Sequence, residues 1–228
     1  MDIADDIRTG PTLAWWSGTN DDDDAGIQVA QSDDSVIACK TIGKILAHAP
    51  IILKRYMKTF GLIIIGDEIL SGKRQDKHLS KAIATLKTRG LDLSYAHYLG
   101  DEPERIVATL KQSFATDHII FSFGGIGATP DDYTRQCAAA ALDADLCQHP
   151  EAVAAMAAKP DFELTPNRVK MAEFPVGALI IPNPYNQIAA FSCGDHHFLP
   201  GFPEMAWPMM EWVLDSKYAH LFNRDAST

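Results

Sequence analysis

The sequence is short of positive charge, of cysteine and of long apolar runs, and each shortage closes off a class of function. Lys and Arg total 20 against 30 Asp and Glu in 228 residues, a formal charge of -10. Nucleic-acid binding needs a basic footprint against phosphates, so no nucleic-acid partner is expected. No apolar segment approaches the ~20 residues of a membrane-crossing helix, so no membrane partner is expected either. The first residues, Met1-Asp2-Ile3-Ala4-Asp5-Asp6, are acidic where a secretory signal begins basic and then turns apolar. A cytoplasmic location is the expectation. The four cysteines, Cys39, Cys137, Cys147 and Cys193, lie far apart with no C-x-x-C pair, so reduced thiols are expected. Neither they nor the eight histidines fall at zinc-ligand spacing. In the doublet His196-His197, neighbouring strand residues point to opposite faces, which argues against a shared ion.

What remains is ordinary globular material, 46% hydrophobic and 22% charged. It divides unevenly. Residues 1–38 carry nine Asp and a single basic residue, Arg8, and include the run Asp21-Asp22-Asp23-Asp24. Trp15-Trp16 stands there without periodic neighbours. Such composition predicts a poorly ordered acidic extension over residues 1–56. The Asp run lacks the alternating acids, the central Gly and the closing Glu of a calcium loop. From Met57 the pattern changes, and residues 57–228 read as one domain.

In that domain strands and helices alternate. Residues 60–65 are continuously apolar, as in a strand buried on both faces of a parallel sheet. A helix follows over 76–89, with Leu79, Ala82, Ile83 and Leu86 on one face. Residues 91–98 read as a strand, 102–114 as a helix, 118–123 as a third strand and 131–142 as a third helix. Beyond 143 the signals weaken: a helix over 151–158, short strands over 178–181, 187–192 and 196–199, and a closing helix over 204–214. The βαβαβα order predicts a mostly parallel sheet with right-handed crossovers and helices on both faces.

Three glycine-bearing loops carry the candidate chemistry. They are Gly66-Asp67-Glu68-Ile69-Leu70-Ser71-Gly72, then Gly124-Gly125-Ile126-Gly127-Ala128-Thr129-Pro130-Asp131-Asp132-Tyr133-Thr134, then Leu199-Pro200-Gly201-Phe202-Pro203-Glu204-Met205. The first two follow buried strands, and open α/β sheets bind ligands outside the carboxyl ends of their strands. Glycine lets the backbone approach a ligand, and a following helix offers unpaired N–H groups to an anion. Thr129 is a candidate N-cap for the third helix, with Pro130 at its first position. Asp131 and Asp132 then sit in its first turn, where acids are favoured on structural grounds alone. Carboxylates crowded against a phosphate cradle repel the phosphate unless a divalent cation intervenes. The pattern therefore suggests a Mg²⁺-assisted phosphate or pyrophosphate site, with Asp67, Asp131 and Asp132 as candidate ligands. Gly124-Gly125-x-Gly127 is neither a dinucleotide fingerprint nor a Walker loop, and no G-x-S-x-G elbow is present.

Together the loops resemble the molybdopterin-binding, MoaB/Mog-like domain family. The segment Asn183-Pro184-Tyr185-Asn186, with Arg168 and Glu173 upstream, is similar to the branch that forms the N-terminal domain of competence/damage-inducible protein A. The resemblance spans residues 58–214. It implies a three-layer α/β/α sandwich with a mostly parallel sheet, often assembled as a homotrimer. It also implies molybdopterin as ligand, and a protein that binds or processes a phosphorylated pterin or nucleotide. In this comparison Asp67 and Asp132 match acids tied to cofactor chemistry and are the candidate catalytic residues. Candidate ligand contacts are Gly66, Glu68, Ser71, Gly72, Gly124, Gly125, Gly127, Thr129, Thr134, Pro200 and Gly201. Family members differ in adenylating the pterin, inserting molybdate, or hydrolysing a nucleotide pyrophosphate such as ADP-ribose. A metal-dependent pyrophosphohydrolase and a non-catalytic binding module therefore stand as alternatives. No counterpart of the amidase domain of the competence protein follows residue 228, so amidase activity is not expected.

Overall fold

Apolar sequence without interruption builds the centre of the sheet. The computed structural model describes residues 58–159 and 163–223, so the expectation for residues 1–56 lies outside the described residues. Strand β1 (Phe60–Ile65) is buried along its whole length. Its side chains alternate between two cores, Leu62 and Ile64 on one face of the sheet and Ile63 and Ile65 on the other. β3 (Ile119–Phe123) behaves alike, fully buried with Phe121 in the first core and Ile120 in the second. Such strands need helices on both sides, and the chain supplies them.

Over the first face lie α2 (His78–Lys87) and α7 (Pro203–Lys217), through Ala82, Leu86, Met209 and Val213. Over the second lie α3 (Pro103–Phe114), α4 (Thr134–Leu142) and α5 (Pro150–Ala157), through Ile106, Leu110, Ala138 and Met156. The result is a three-layer α/β/α sandwich. Its six-stranded sheet has the order β2-β1-β3-β8-β7-β6, with β2 (Leu93–Leu99), β6 (Leu179–Ile181), β7 (Ala190–Cys193) and β8 (His196–Leu199). β2, β1, β3 and β8 run parallel, and β7 and β6 add antiparallel pairings at one edge. A separate two-stranded ladder joins β4 (Leu146–Gln148) to β5 (Glu173–Pro175). Short helices α1 (Asp67–Leu70) and α6 (Pro166–Val169) complete the set.

His196 and His197 do face opposite ways. His196 lies 2.6 Å from the Ser113 Oγ and against the Phe114 ring, on the α3 side. His197 lies between the hydroxyls of Ser192 and Tyr218, at 2.8 and 2.7 Å, on the α7 side. Both are buried polar groups satisfied by neighbours. Among the described residues no helix is long and apolar enough to cross a membrane.

Candidate functional site

Four parallel strands end side by side, and each releases its chain at a glycine or one residue before it: Gly66 after β1, Gly100 after β2, Gly124 after β3, and Pro200-Gly201 after β8. The ends are stitched together by the backbone. The Gly66 amide donates to the Leu99 carbonyl and the Gly124 amide to the Leu199 carbonyl, both at 3.0 Å. The rule for open α/β sheets places a ligand here.

The loop after β3 is the most constrained. Gly124 has φ 103°, and a Cβ there would stand 2.2 Å from the Ile65 carbonyl oxygen, so only glycine fits. At Gly127 a Cβ would meet the Asp132 carboxylate at 2.6 Å. That carboxylate accepts from the Thr129 amide at 2.8 Å and from the Thr129 hydroxyl. Thr134 closes the turn from the other side, its amide donating to the Gly125 carbonyl at 2.9 Å and its hydroxyl to the Gly124 carbonyl at 3.0 Å.

These bonds correct one expectation. Thr129 and Pro130 do not open the helix: α4 begins at Thr134 with Tyr133 as its N-cap. The Thr129–Asp132 pairing closes a separate turn, and the helix starts only where Thr134 can satisfy the glycine carbonyls. Within the described residues, none of the amide N–H groups of residues 125–128 is taken by a hydrogen bond. Half-buried amides left open in one turn are what an anion cradle requires.

Sequence reasoning missed the residue that braces this turn. Arg135, 2% exposed, donates to the Gly127 carbonyl at 2.7 Å and to the Lys170 carbonyl. Its guanidinium so ties the glycine turn to the segment carrying Met171. Burial pulls the Arg135 pKa down, and the charges of Glu173 and Asp132 oppose that pull. An arginine one turn before Ala138 and Ala139, on the face of the helix that they bury, was the available signal. His78 was missed likewise: it sits on the buried face of α2 and its Nε2 lies 3.1 Å from the Gly201 carbonyl.

The predicted site residues separate into two neighbouring cavities. One, of about 370 Å³, is lined by Gly125, Gly127, Thr129, Asp132, Pro200 and Gly201, and its remaining wall is largely apolar, from Ile126, Met171, Ile188, Phe202 and Met205. Asn183 and Asn186 border it. Asn183 fixes the 183–188 loop, donating to the Ile188 carbonyl and accepting from the amides of Tyr185 and Asn186. The other, an acidic cleft of about 660 Å³, is lined by Asp67, Glu68, Ser71, Asp101 and Asp131 among others. Gly66, Gly72, Gly124 and Thr134 line neither, and Gly66, Gly124 and Thr134 act through the backbone bonds given above.

In the acidic cleft Asp67 and Asp101 brace one another: each accepts a hydrogen bond from the amide of the other, at 3.2 and 2.9 Å. Burial raises the Asp101 carboxyl above its ordinary value; the bond from Asp67 pulls it back, and the charges of Asp67, Glu68 and Asp131 push it up again. The two candidate catalytic acids, Asp67 and Asp132, thus line different cavities. The Mg²⁺ set is divided in the same way: Asp67 and Asp131 line the acidic cleft, and Asp132 lines the other cavity with its carboxylate bonded to Thr129. Among the described residues no group of three His, Cys, Asp or Glu side chains is placed to hold a metal ion. Asp67, Asp131 and Asp132 do not form the expected three-carboxylate site.

A "CinA-like protein" of Geobacter sp. (strain M21) is 33% identical over 161 residues, covering 67% of this chain and 39% of that protein. A "CinA-like protein" of Anaeromyxobacter sp. (strain K) is 31% identical over 168 residues, covering 70% and 41%. The chain thus spans about two fifths of the length of the curated relatives it matches. Among solved structures, the protein CinA "with unknown function" from Thermoplasma acidophilum superposes with a TM-score of 0.63 at 26% identity, covering 70% of this chain and 98% of that one. A family model described as "Probable molybdopterin binding domain" matches residues 61–220, which contain all three glycine-bearing loops. By that match, which covers well over half of its length, the chain belongs to the molybdopterin-binding domain family.

Proposed function

We propose that the cavity beside the glycine turn binds a phosphorylated pterin of the molybdopterin type, in molybdenum-cofactor metabolism. The observation that carries the reading is the pairing of an apolar wall with open backbone amides in one cavity of about 370 Å³, within the usual range for small-ligand sites. The flat ring system packs against Ile126, Met171, Ile188 and Phe202. The phosphate lies on the amides of residues 125–128. Asp132 acts as a positioning residue, holding Thr129 and the turn, and Arg135 fixes the turn from beneath. Asp67 sets the neighbouring loop through Asp101.

Anaerobic titration with molybdopterin, followed by pterin fluorescence, tests this. Saturable binding is expected in the wild type, weakened at least tenfold in Gly127→Ala, whose methyl group displaces the Asp132 carboxylate. Absence of pterin binding contradicts the reading. So does metal-dependent AMP release from ADP-ribose-type pyrophosphates by a protein without pterin affinity, which would favour the hydrolase.

A further inference from the structure

A third cavity, of about 460 Å³, adjoins the other two, between the α1–α2 segment and the start of α7, and shares Gly201 and Phe202 with the proposed pterin cavity. Its charge runs against that of the chain. Lys73, Arg74 and Lys77 line it against Glu68 and Glu204, three cations to two anions in a protein of net charge -10. Arg74 is held in place, 3.5 Å from Glu68 and with its guanidinium 5.2 Å from the centre of the Phe202 ring. Among the described residues neither Lys73 nor Lys77 is engaged in an ion pair.

The buried polar group of this wall is His78, 5% exposed and stacked on Phe123 at 4.5 Å. Its Nε2 donates to the Gly201 carbonyl, which leaves Nδ1 as the lone-pair nitrogen. That Nδ1 is buried without a hydrogen-bond partner. Buried polar atoms of this kind call for an explanation. Burial lowers the His78 pKa; the Gly201 bond and the charges of Asp76 and Glu204 act against that, and Arg74 acts with it. Burial thus favours the neutral ring in the free protein, and the unpartnered Nδ1 is the nitrogen that would take a proton when negative charge arrives.

We propose that this cavity is a site for a phosphate- or sulfate-type dianion, held by Arg74, Lys73 and Lys77, whose binding draws one proton onto His78. The site goes beyond the pterin reading and extends it, because a ligand lying on the glycine turn can reach a second anion contact across the wall at Gly201 and Phe202.

Sulfate, which stays a dianion across the range tested, is the probe, with chloride at equal ionic strength as the control. NMR resolves the sites: the His78 imidazole and the amides of residues 73–78 report this cavity, and the amides of residues 125–128 report the pterin cavity. The half-saturating sulfate concentration read at His78 should fall as pH drops from about 7.5 to 5.5, by up to about tenfold per unit for one coupled proton. Arg74→Gln with Lys77→Gln should raise it at least tenfold. His78→Gln should keep the response of the 73–78 amides and lose its pH dependence. The proposal is overturned if sulfate shifts His78 no more than chloride does, if the double variant binds sulfate like wild type, or if the pH dependence survives in His78→Gln. Should His78→Gln fail to fold, the wild-type imidazole decides: protonation on sulfate addition supports the proposal, and an unshifted ring overturns it. Loss of the response at residues 125–128 alone would count against the pterin cavity and leave this one standing.

Discussion

Replacing Arg135 by methionine removes the two bonds that fasten the glycine turn to the 170 segment while keeping an unbranched chain of similar reach. At a position only 2% exposed, the Gly127 carbonyl loses the arginine donor and the Lys170 carbonyl is left with the Glu173 amide alone. A hydrogen bond from a charged group is worth about 1.5–3 kcal/mol, so the gross loss is about 3–6 kcal/mol. Part of it is returned, because a guanidinium is costly to bury and the Arg135 Nε has no partner of its own. The net expectation is a destabilisation of about 2–4 kcal/mol, or about 5–15 °C in Tm for a domain of this size. Urea unfolding with thermal melts measures it. Arg135→Lys, whose single ammonium can serve one carbonyl at a time, should fall between the two. An Arg135→Met protein within about 0.5 kcal/mol of wild type would refute the bracing role, since that is the range of an uninvolved surface substitution.

Three further outcomes are expected. Gly127→Ala should weaken pterin binding while changing global stability little, because its clash is with a carboxylate tip that can swing away. Gly72→Ala should cost only the left-handed backbone penalty of roughly 1 kcal/mol, since φ is 73° there and no atom lies within 4 Å of the new methyl group; equilibrium unfolding separates these two cases. Burial depresses the His196 pKa to about 4, opposed by Asp195, while the unfolded value is near 6.5. The unfolded chain binds the extra proton first, so stability is full above 6.5 and falls as pH drops toward 4, by about 3 kcal/mol from this residue. His196→Phe, which keeps a ring against Phe114, should lose less across that window in urea titrations at stepped pH.

Much of this architecture could be read from the chain because its central strands carry no ambiguity. Phe60 to Ile65 is apolar at every position, a pattern that fits a strand buried on both faces and little else, and the structure gives β1 those same limits. The helix faces were legible for the same reason, with Ile106 and Leu110 one turn apart on α3. The short pieces were not. β4 and β5 are three residues each, too brief for a period to register, and Leu146 and Pro175 pair only because the tertiary fold brings them together. The start of α4 was misplaced because Thr129 and Asp132 have the spacing of a capping box, and only the glycine carbonyls, which call Thr134 to them, reveal a free-standing turn instead. The site residues split on similar lines. Motifs gave the glycines and acids, but whether Asp67 and Asp132 share a cavity depends on side-chain direction, which spacing does not encode. Arg135 and His78 stand in the first turns of their helices and on buried faces, where a sequence reading sees packing before it sees a polar contact.

The amides of residues 125–128 offer the most direct test of the central claim. In an anaerobic NMR titration with molybdopterin, the account predicts saturable shifts of these amides together with the side-chain signals of Met171 and Met205, and slowed amide hydrogen exchange in the turn once the ligand is bound. Shifts confined to the acidic cleft around Asp67 and Asp101, with residues 125–128 unmoved, would contradict it.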